Sequence, residues 1–156
     1  MIFPAKLLTY SLVLACIFAV SAGTFAAAEQ APEVQKSLYE RLGGYDALSA
    51  VTKDLAGRLV ADPKLGRFWA NRGQDGVDRE VQLITDFLSA KSGGPLYYKG
   101  REMKLSHVGM RIDEQDWRAL MTHLGETLDK FKVPVKERQD VIAFIESTKA
   151  DIVELK

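Results

Sequence analysis

Cysteine is nearly missing from this chain of 156 residues, and histidine is almost as scarce, with one of the first and two of the second. Cys16 has no second thiol to pair with, so no internal disulfide can brace the fold. Two histidines and one thiol cannot close a zinc site unless carboxylates supply the other ligands. A nucleophile-elbow GxSxG, a phosphate-binding glycine loop and HExxH are also absent, which removes the commonest serine-hydrolase, nucleotide and zinc-protease readings. Charge of one sign is not in excess either. Lys+Arg and Asp+Glu both number 21, so the electrostatic footprint of a nucleic-acid binder is lacking.

One long hydrophobic run is present, and it lies at the start. MIFPAK carries a single cation, Lys6, and LLTYSLVLACIFAVSAG then runs without charge to FAAAEQ. Ala26 and Ala28 form the A-x-A pattern of a signal-peptidase site, so residues 1–28 read as a secretory signal cut after Ala28. The expected location is therefore secreted or periplasmic. A retained membrane anchor is the alternative, since the run is nearly long enough to span. Lipidation of Cys16, which follows Val-Leu-Ala, fits less well because apolar residues and no polar tether come after it. Cleavage would remove only Lys6 from the charge count, leaving 20 basic against 21 acidic residues, a net charge of −1. Residues 29–36, EQAPEVQK, are polar and aperiodic and read as a flexible tail. Residues 37–156 are long enough for one domain with a real core.

That domain has helical periodicity throughout and almost no strand alternation, so its class is all-α. Ser37-Leu38-Tyr39-Glu40 fits a capping box opening a short helix that ends at Gly43-Gly44. Asp46 is a candidate cap for a second helix, with Leu48, Val51, Leu55 and Leu59 on one face and Asp62-Pro63 at its end. A turn carrying Phe68 and Trp69 follows. The next helix places Val77, Val81, Ile84 and Leu88 at helical spacing and stops at Gly93-Gly94-Pro95. Residues 95–111 read as short and irregular. Asp113 caps a long helix with Trp117, Leu120, Met121, Leu124, Leu128 and Phe131 inward. Pro134 opens a last helix that buries Val141, Ile142, Ile145 and Ile152.

The two histidines differ in setting. His123 lies inside the long helix between Leu120 and Leu124, where a packing histidine is the ordinary reading. His107 lies in a short segment between two loops, one turn after Met103 and among Lys99, Arg101, Lys104 and Arg111. Spacing alone leaves two readings of His107 open: a tolerated polar residue on a solvated face, or the one protein ligand of an iron whose other ligands come from a porphyrin.

Four stretches resemble the group I truncated haemoglobins in order and spacing. They are LYERLGG at 38–44, VTKDLAGRLVADPKLGRFW at 51–69, FLSAKSGGPLYYKGREMKLSHVGMRI at 87–112 and HLGETLDKFKVP at 123–134. The resemblance implies a two-over-two helical sandwich around one b-type haem. It implies that His107 is the proximal iron ligand, that Phe68 and Trp69 stand at two aromatic haem positions, and that Tyr98, Met103, Val108, Ile112 and Trp117 belong to the haem-pocket wall. The ring N–H not facing iron needs an acceptor, for which the Met103 carbonyl one turn back is the candidate.

The distal side departs from the family. Ala56 stands where many members carry tyrosine, and Ile84 where a glutamine often contributes, with Glu80 and Gln82 as nearby polar residues. Losing a hydrogen bond to bound dioxygen costs about 1–3 kcal/mol, roughly ten- to hundredfold in affinity. Tight oxygen storage is thus the least expected role, and nitric oxide or carbon monoxide suits an apolar pocket better. The expectation is a protein that binds a diatomic gas (oxygen, nitric oxide or carbon monoxide) at haem iron. Nitric oxide dioxygenase or peroxidase-like chemistry stays open, and so does the identity of any redox partner. A globin-shaped interaction domain and a bis-ligated, cytochrome-like electron carrier are the alternatives. Contact with a membrane is expected only if the N-terminal segment is retained.

Overall fold

The computed structural model describes residues 35–155, and these are helical apart from their connections. Residues 1–28, read above as a signal, and most of the 29–36 tail lie outside the described residues. Among the described residues no helix is long and apolar enough to cross a membrane. In chain order the elements are α1 (Leu38–Arg41), α2 (Gly44–Ala61), a 3-10 turn (Leu65–Trp69), α3 (Gln74–Lys91), α4 (Met103–His107), α5 (Glu114–Lys130), α6 (Val135–Ser147) and α7 (Lys149–Ile152).

Local chemistry accounts for the boundaries. Ser37 caps α1 through a complete capping box with Glu40. Gly43 and Gly44 take φ of 96° and 79°, a backbone path that other residues reach at a cost, and they turn the chain from α1 into α2. Because Gly44 already begins α2, Asp46 sits in the first helical turn and favours the dipole there without capping the helix. At the start of α5 the cap is Asp113. Its carboxylate accepts from the Gln115 and Asp116 N–H groups at 2.8 Å, and Asp116 answers by accepting from the Asp113 N–H at 2.9 Å.

α2 packs against α3, α5 and the 3-10 turn. Its buried stripe is Leu48, Thr52, Ala56 and Leu59, and the buried residues of α3 are Thr85 and Ser89. Small residues on both helices let the backbones approach closely. The bulkier Val51 and Leu55 are only half buried, as are Val77, Val81, Ile84 and Leu88. On α5, Trp117, Leu124 and Leu128 are buried, whereas Phe131, expected inward, is 38% exposed at the helix end. The last helix is broken in two at Thr148. None of α6 is fully buried, and Ile152 belongs to α7. The reason for the incomplete burial of α6 is a large cavity beneath it, which Val141, Phe144 and Ile145 line.

His123 is a structural residue. Its Nε2 lies 2.8 Å from an Asp62 carboxylate oxygen; that oxygen can only accept, so Nε2 carries the proton and donates. The bond ties α5 to the end of α2. The His123 contact, joined by the Leu65 and Lys64 N–H groups, lowers the Asp62 pKa from 3.8 to about 2. A carboxylate whose pKa is depressed on folding stabilises the fold above its ordinary pKa, and that stability is lost as pH falls through the folded value. Acid unfolding should therefore show a component between about pH 4 and about pH 2. Asp62→Asn should flatten the stability-versus-pH curve in that window, and an unchanged curve would show that the bond does not couple to folding.

Candidate functional site

α4 is only five residues long, far below the length at which a helix holds itself together in water. It is held by the chain around it. α4 packs on α7, and Glu154 just after α7 accepts from the Gly109 N–H at 2.7 Å and the Arg111 N–H at 2.5 Å. Arg111 has φ of 56°, a left-handed conformation that a non-glycine residue adopts only when its surroundings impose it. Those two amide bonds hold the Glu154 carboxyl below the usual carboxylate range. Two further backbone bonds, from the Glu154 and Leu155 N–H groups to the Ile112 carbonyl at 3.0 and 3.1 Å, complete the clamp.

On this short helix the His107 Nδ1 lies 2.8 Å from the Met103 carbonyl oxygen, and the Ser106 hydroxyl is 3.1 Å from the same nitrogen. A carbonyl can only accept, so Nδ1 must carry the ring proton. The neutral imidazole then keeps its lone pair on Nε2, which is the tautomer a metal ligand needs. No group of three or more His, Cys, Asp and Glu residues that could hold an ion exists among the described residues. Any metal that His107 binds must therefore bring most of its other ligands with it.

His107 lines the cavity under α6, whose volume is about 820 Å³. That falls in the range of roughly 300–1,000 Å³ typical of sites for sizeable small molecules and cofactors. Phe68, Trp69, Glu80, Ile84, Tyr98, Met103, Ile112 and Trp117 all share its wall with His107. Ile112 and Trp117 pack with Ile152, which also lines the cavity, into one core cluster. The Tyr98 ring stands edge-on to Phe87, their centroids 5.2 Å apart, and its hydroxyl donates to the Arg101 carbonyl at 2.9 Å. Only glycine can occupy position 100 without disturbing this ring, because a Cβ there would come within 2.1 Å of the Tyr98 hydroxyl.

Two expected wall residues are placed differently. Val108 is 63% exposed and does not line the cavity. The chain leaves α4 at this residue in an extended conformation, and its side chain is turned to solvent. Ala56 is buried but lines a smaller pocket of about 30 Å³, shared with Thr52, Trp69, Glu80 and Ile84. It is thus set behind the main cavity. Trp69, large where phenylalanine is usual in the resemblance, and Ala56, small where tyrosine is usual, line the same small pocket.

The charged groups on the cavity wall are mostly cationic. Arg41, Arg72, Arg79, Lys99, Arg101 and Lys132 line it, against the carboxylates Glu80 and Asp116. Arg41 is spent on Glu137 and Asp140 of α6, and Arg72 on Glu80. Arg79, Lys99, Arg101 and Lys132 form no ion pair among the described residues. Asp116 is 2% exposed and bonds Arg67 at 2.6 Å. Burial works against its charge, yet the Arg67 guanidinium and the Asp113 N–H outweigh burial and hold its pKa below the ordinary value. That pair, a buried carboxylate met by an exposed guanidinium, pins the 3-10 turn carrying Phe68 and Trp69 to the start of α5.

An apolar chamber, unpaired cations on its wall and one imidazole with a free Nε2 suit a flat apolar group that bears carboxylates and a metal needing one axial nitrogen. The arrangement is that of a globin with its helices packed two over two. A sequence model of the bacterial-like globins matches residues 37–154, and the chain belongs to this family. It is 30% identical over 118 residues to a "Group 1 truncated hemoglobin" of Tetrahymena pyriformis, covering 76% of this chain and 95% of that protein. It is 33% identical over 92 residues to a "Group 1 truncated hemoglobin GlbN" of Nostoc commune, covering 59% and 75%. The crystal structure of the Tetrahymena protein in its Fe(III) form superposes with a TM-score of 0.69 over 76% of this chain and 98% of that one.

Glu154, Arg72 and Arg67 were not among the residues singled out from the sequence. Glu154 acts 43 and 45 residues from its partners, and no local pattern marks such a contact. Two outcomes follow from the geometry. Glu154→Gln should speed hydrogen exchange at the Gly109 and Arg111 amides while leaving α5 amides protected; uniform exchange changes would show that the clamp is not local. Ala56→Tyr should destabilise by about 1–3 kcal/mol through overpacking of the small pocket. Adding Trp69→Phe should recover much of that loss in denaturant melts, and strictly additive losses would contradict the shared-pocket reading.

Proposed function

We propose that the chain is a haem-binding truncated globin of the cell envelope, with iron held by His107 Nε2 and a diatomic gas taken on the other face. The observation that carries this reading is the 2.8 Å bond from Nδ1 to the Met103 carbonyl, which leaves Nε2 as the free ligand atom in a cavity of cofactor size. Family membership supports the cofactor, a b-type haem, and the class of ligand. The haem would supply the iron and four of its nitrogens. Met103, Phe68, Tyr98, Ile112 and Trp117 would enclose it, and Arg79, Lys99 and Arg101 would neutralise its carboxylates.

The ligand side of this chain is poor in donors. Ala56 and Ile84 carry none, and the Trp69 indole N–H is already given to Glu80 at 3.2 Å. Dioxygen gains negative character when bound and depends on a donor, whereas nitric oxide and carbon monoxide depend on it less. The site therefore favours the latter two by the roughly ten- to hundredfold that a missing hydrogen bond is worth. Placement in the envelope rests on residues 1–28 and the A-x-A pattern at Ala26–Ala28.

Purified protein reconstituted with haem should develop a Soret band, and His107→Gly should lose or greatly shift it and recover it with added imidazole. Equal haem binding by both proteins, with identical spectra, would sink the assignment of His107. For location, mass spectrometry of the protein secreted by a bacterial host should find Glu29 at the N-terminus, and an intact Met1 terminus in the membrane fraction would favour the anchor.

A further inference from the structure

We propose that Glu80 makes the α3 wall of the cavity a proton acceptor, so that the site captures small neutral molecules bearing an acidic proton, which bind as their conjugate bases. The proposal rests on the haem reading above. α3 presents Gly76, Arg79, Glu80, Leu83, Ile84, Phe87 and Leu88 to the cavity, and Glu80 is the only carboxylate among them. Its side chain is 30% exposed, so it meets both the cavity and water.

The two donors next to Glu80 converge on one of its oxygens. The Trp69 Nε1–H lies 3.2 Å and an Arg72 guanidinium nitrogen 2.9 Å from Oε2. Oε1 accepts no hydrogen bond from the described residues. The pair of donors fixes the carboxylate in place and leaves one oxygen able to accept. It also removes the indole N–H as a donor to a ligand, since an indole has only one. At the Trp69 corner the wall thus offers a free carboxylate oxygen in place of the indole donor.

An acceptor there acts on a different kind of molecule. Hydrogen cyanide approaches as a neutral acid and binds a metal as cyanide. Its proton passes to Oε1 of Glu80, leaving cyanide and the carboxylic acid, and no electron changes hands. The exposed part of the side chain then returns the proton to water. A positioned base of this kind contributes typically about a hundredfold or more to the rate of the proton-transfer step. Carbon monoxide carries no proton and gains nothing from the carboxylate.

The test uses the haem-loaded protein. Cyanide association with the ferric form is followed by stopped flow at neutral pH, and carbon monoxide association with the ferrous form serves as the control. Glu80→Gln keeps the shape and an oxygen for the indole but removes the base. Cyanide association should slow by about a hundredfold in this variant, with carbon monoxide association within about threefold of wild type. An unchanged cyanide rate would overturn the proposal, and so would an equal change in both rates, which would mean that Glu80 is a steric gate. A six-coordinate ferric spectrum that Glu80→Gln abolishes would also overturn it, by showing that the carboxylate binds the iron itself. Failure of the haem reading would show separately, as a wild-type protein without a Soret band. A second readout is independent of loading: Trp69 fluorescence in the unloaded protein should change in Glu80→Leu, which cannot accept the indole N–H, and no change would contradict the contact that places the carboxylate.

Discussion

The bond between the His107 ring and the Met103 carbonyl, one helical turn apart, is the constraint on which the site depends. It chooses the tautomer, fixes the ring plane and leaves Nε2 as a lone-pair donor facing the cavity wall. Without it a histidine on a half-exposed five-residue helix would rotate and exchange tautomers freely. The bond is local, but the helix that hosts it cannot sustain itself. Its rigidity comes from α7 and from Glu154, which holds the segment after His107 through two backbone amides and supports the left-handed turn at Arg111.

The rest of the fold is arranged around the cavity. Small residues on α2 and α3 bring those helices close together, so that Val51, Leu55, Ile84 and Phe87 turn to the cavity. The Arg67–Asp116 pair sets the aromatic turn against α5, and Arg41 holds α1 to α6 through Glu137 and Asp140. A fold of this size would ordinarily fill such a space with side chains. Here the incomplete burial of α6 and an apolar chamber of about 820 Å³ belong together, as a core that a cofactor completes.

Much of this was legible in the sequence, and the rest was illegible for definite reasons. The capping box at Ser37, the cap at Asp113 and the breaks at Gly43-Gly44 and Asp62-Pro63 are encoded within three or four residues, and they read directly. The helical class and the globin resemblance followed from their order. Asp46 was misread as a cap because a diglycine can begin a helix as well as end one. Val108 follows the histidine in sequence, but α4 ends there and turns the side chain outward. Of the α2 face read by hydrophobicity, Leu48 and Leu59 are buried and Val51 and Leu55 line the cavity, whereas the buried small residues Thr52 and Ala56 were not read as part of it. Glu154 and the Arg72–Glu80–Trp69 group depend on tertiary pairing, which no local spacing announces.

Ala56 and Trp69 share one small pocket, and Glu80 takes the one N–H that the tryptophan could offer. The central claim remains that a neutral His107, bonded through Nδ1 to a carbonyl, ligates iron through Nε2. Resonance Raman spectroscopy of the ferrous, gas-free protein tests it most directly. The account predicts an iron–nitrogen stretching band that shifts when the histidines are labelled with heavy nitrogen and that persists in His123→Ala. A ferrous spectrum with no histidine-sensitive band, or with one that disappears in His123→Ala and survives in His107→Gly, would contradict it.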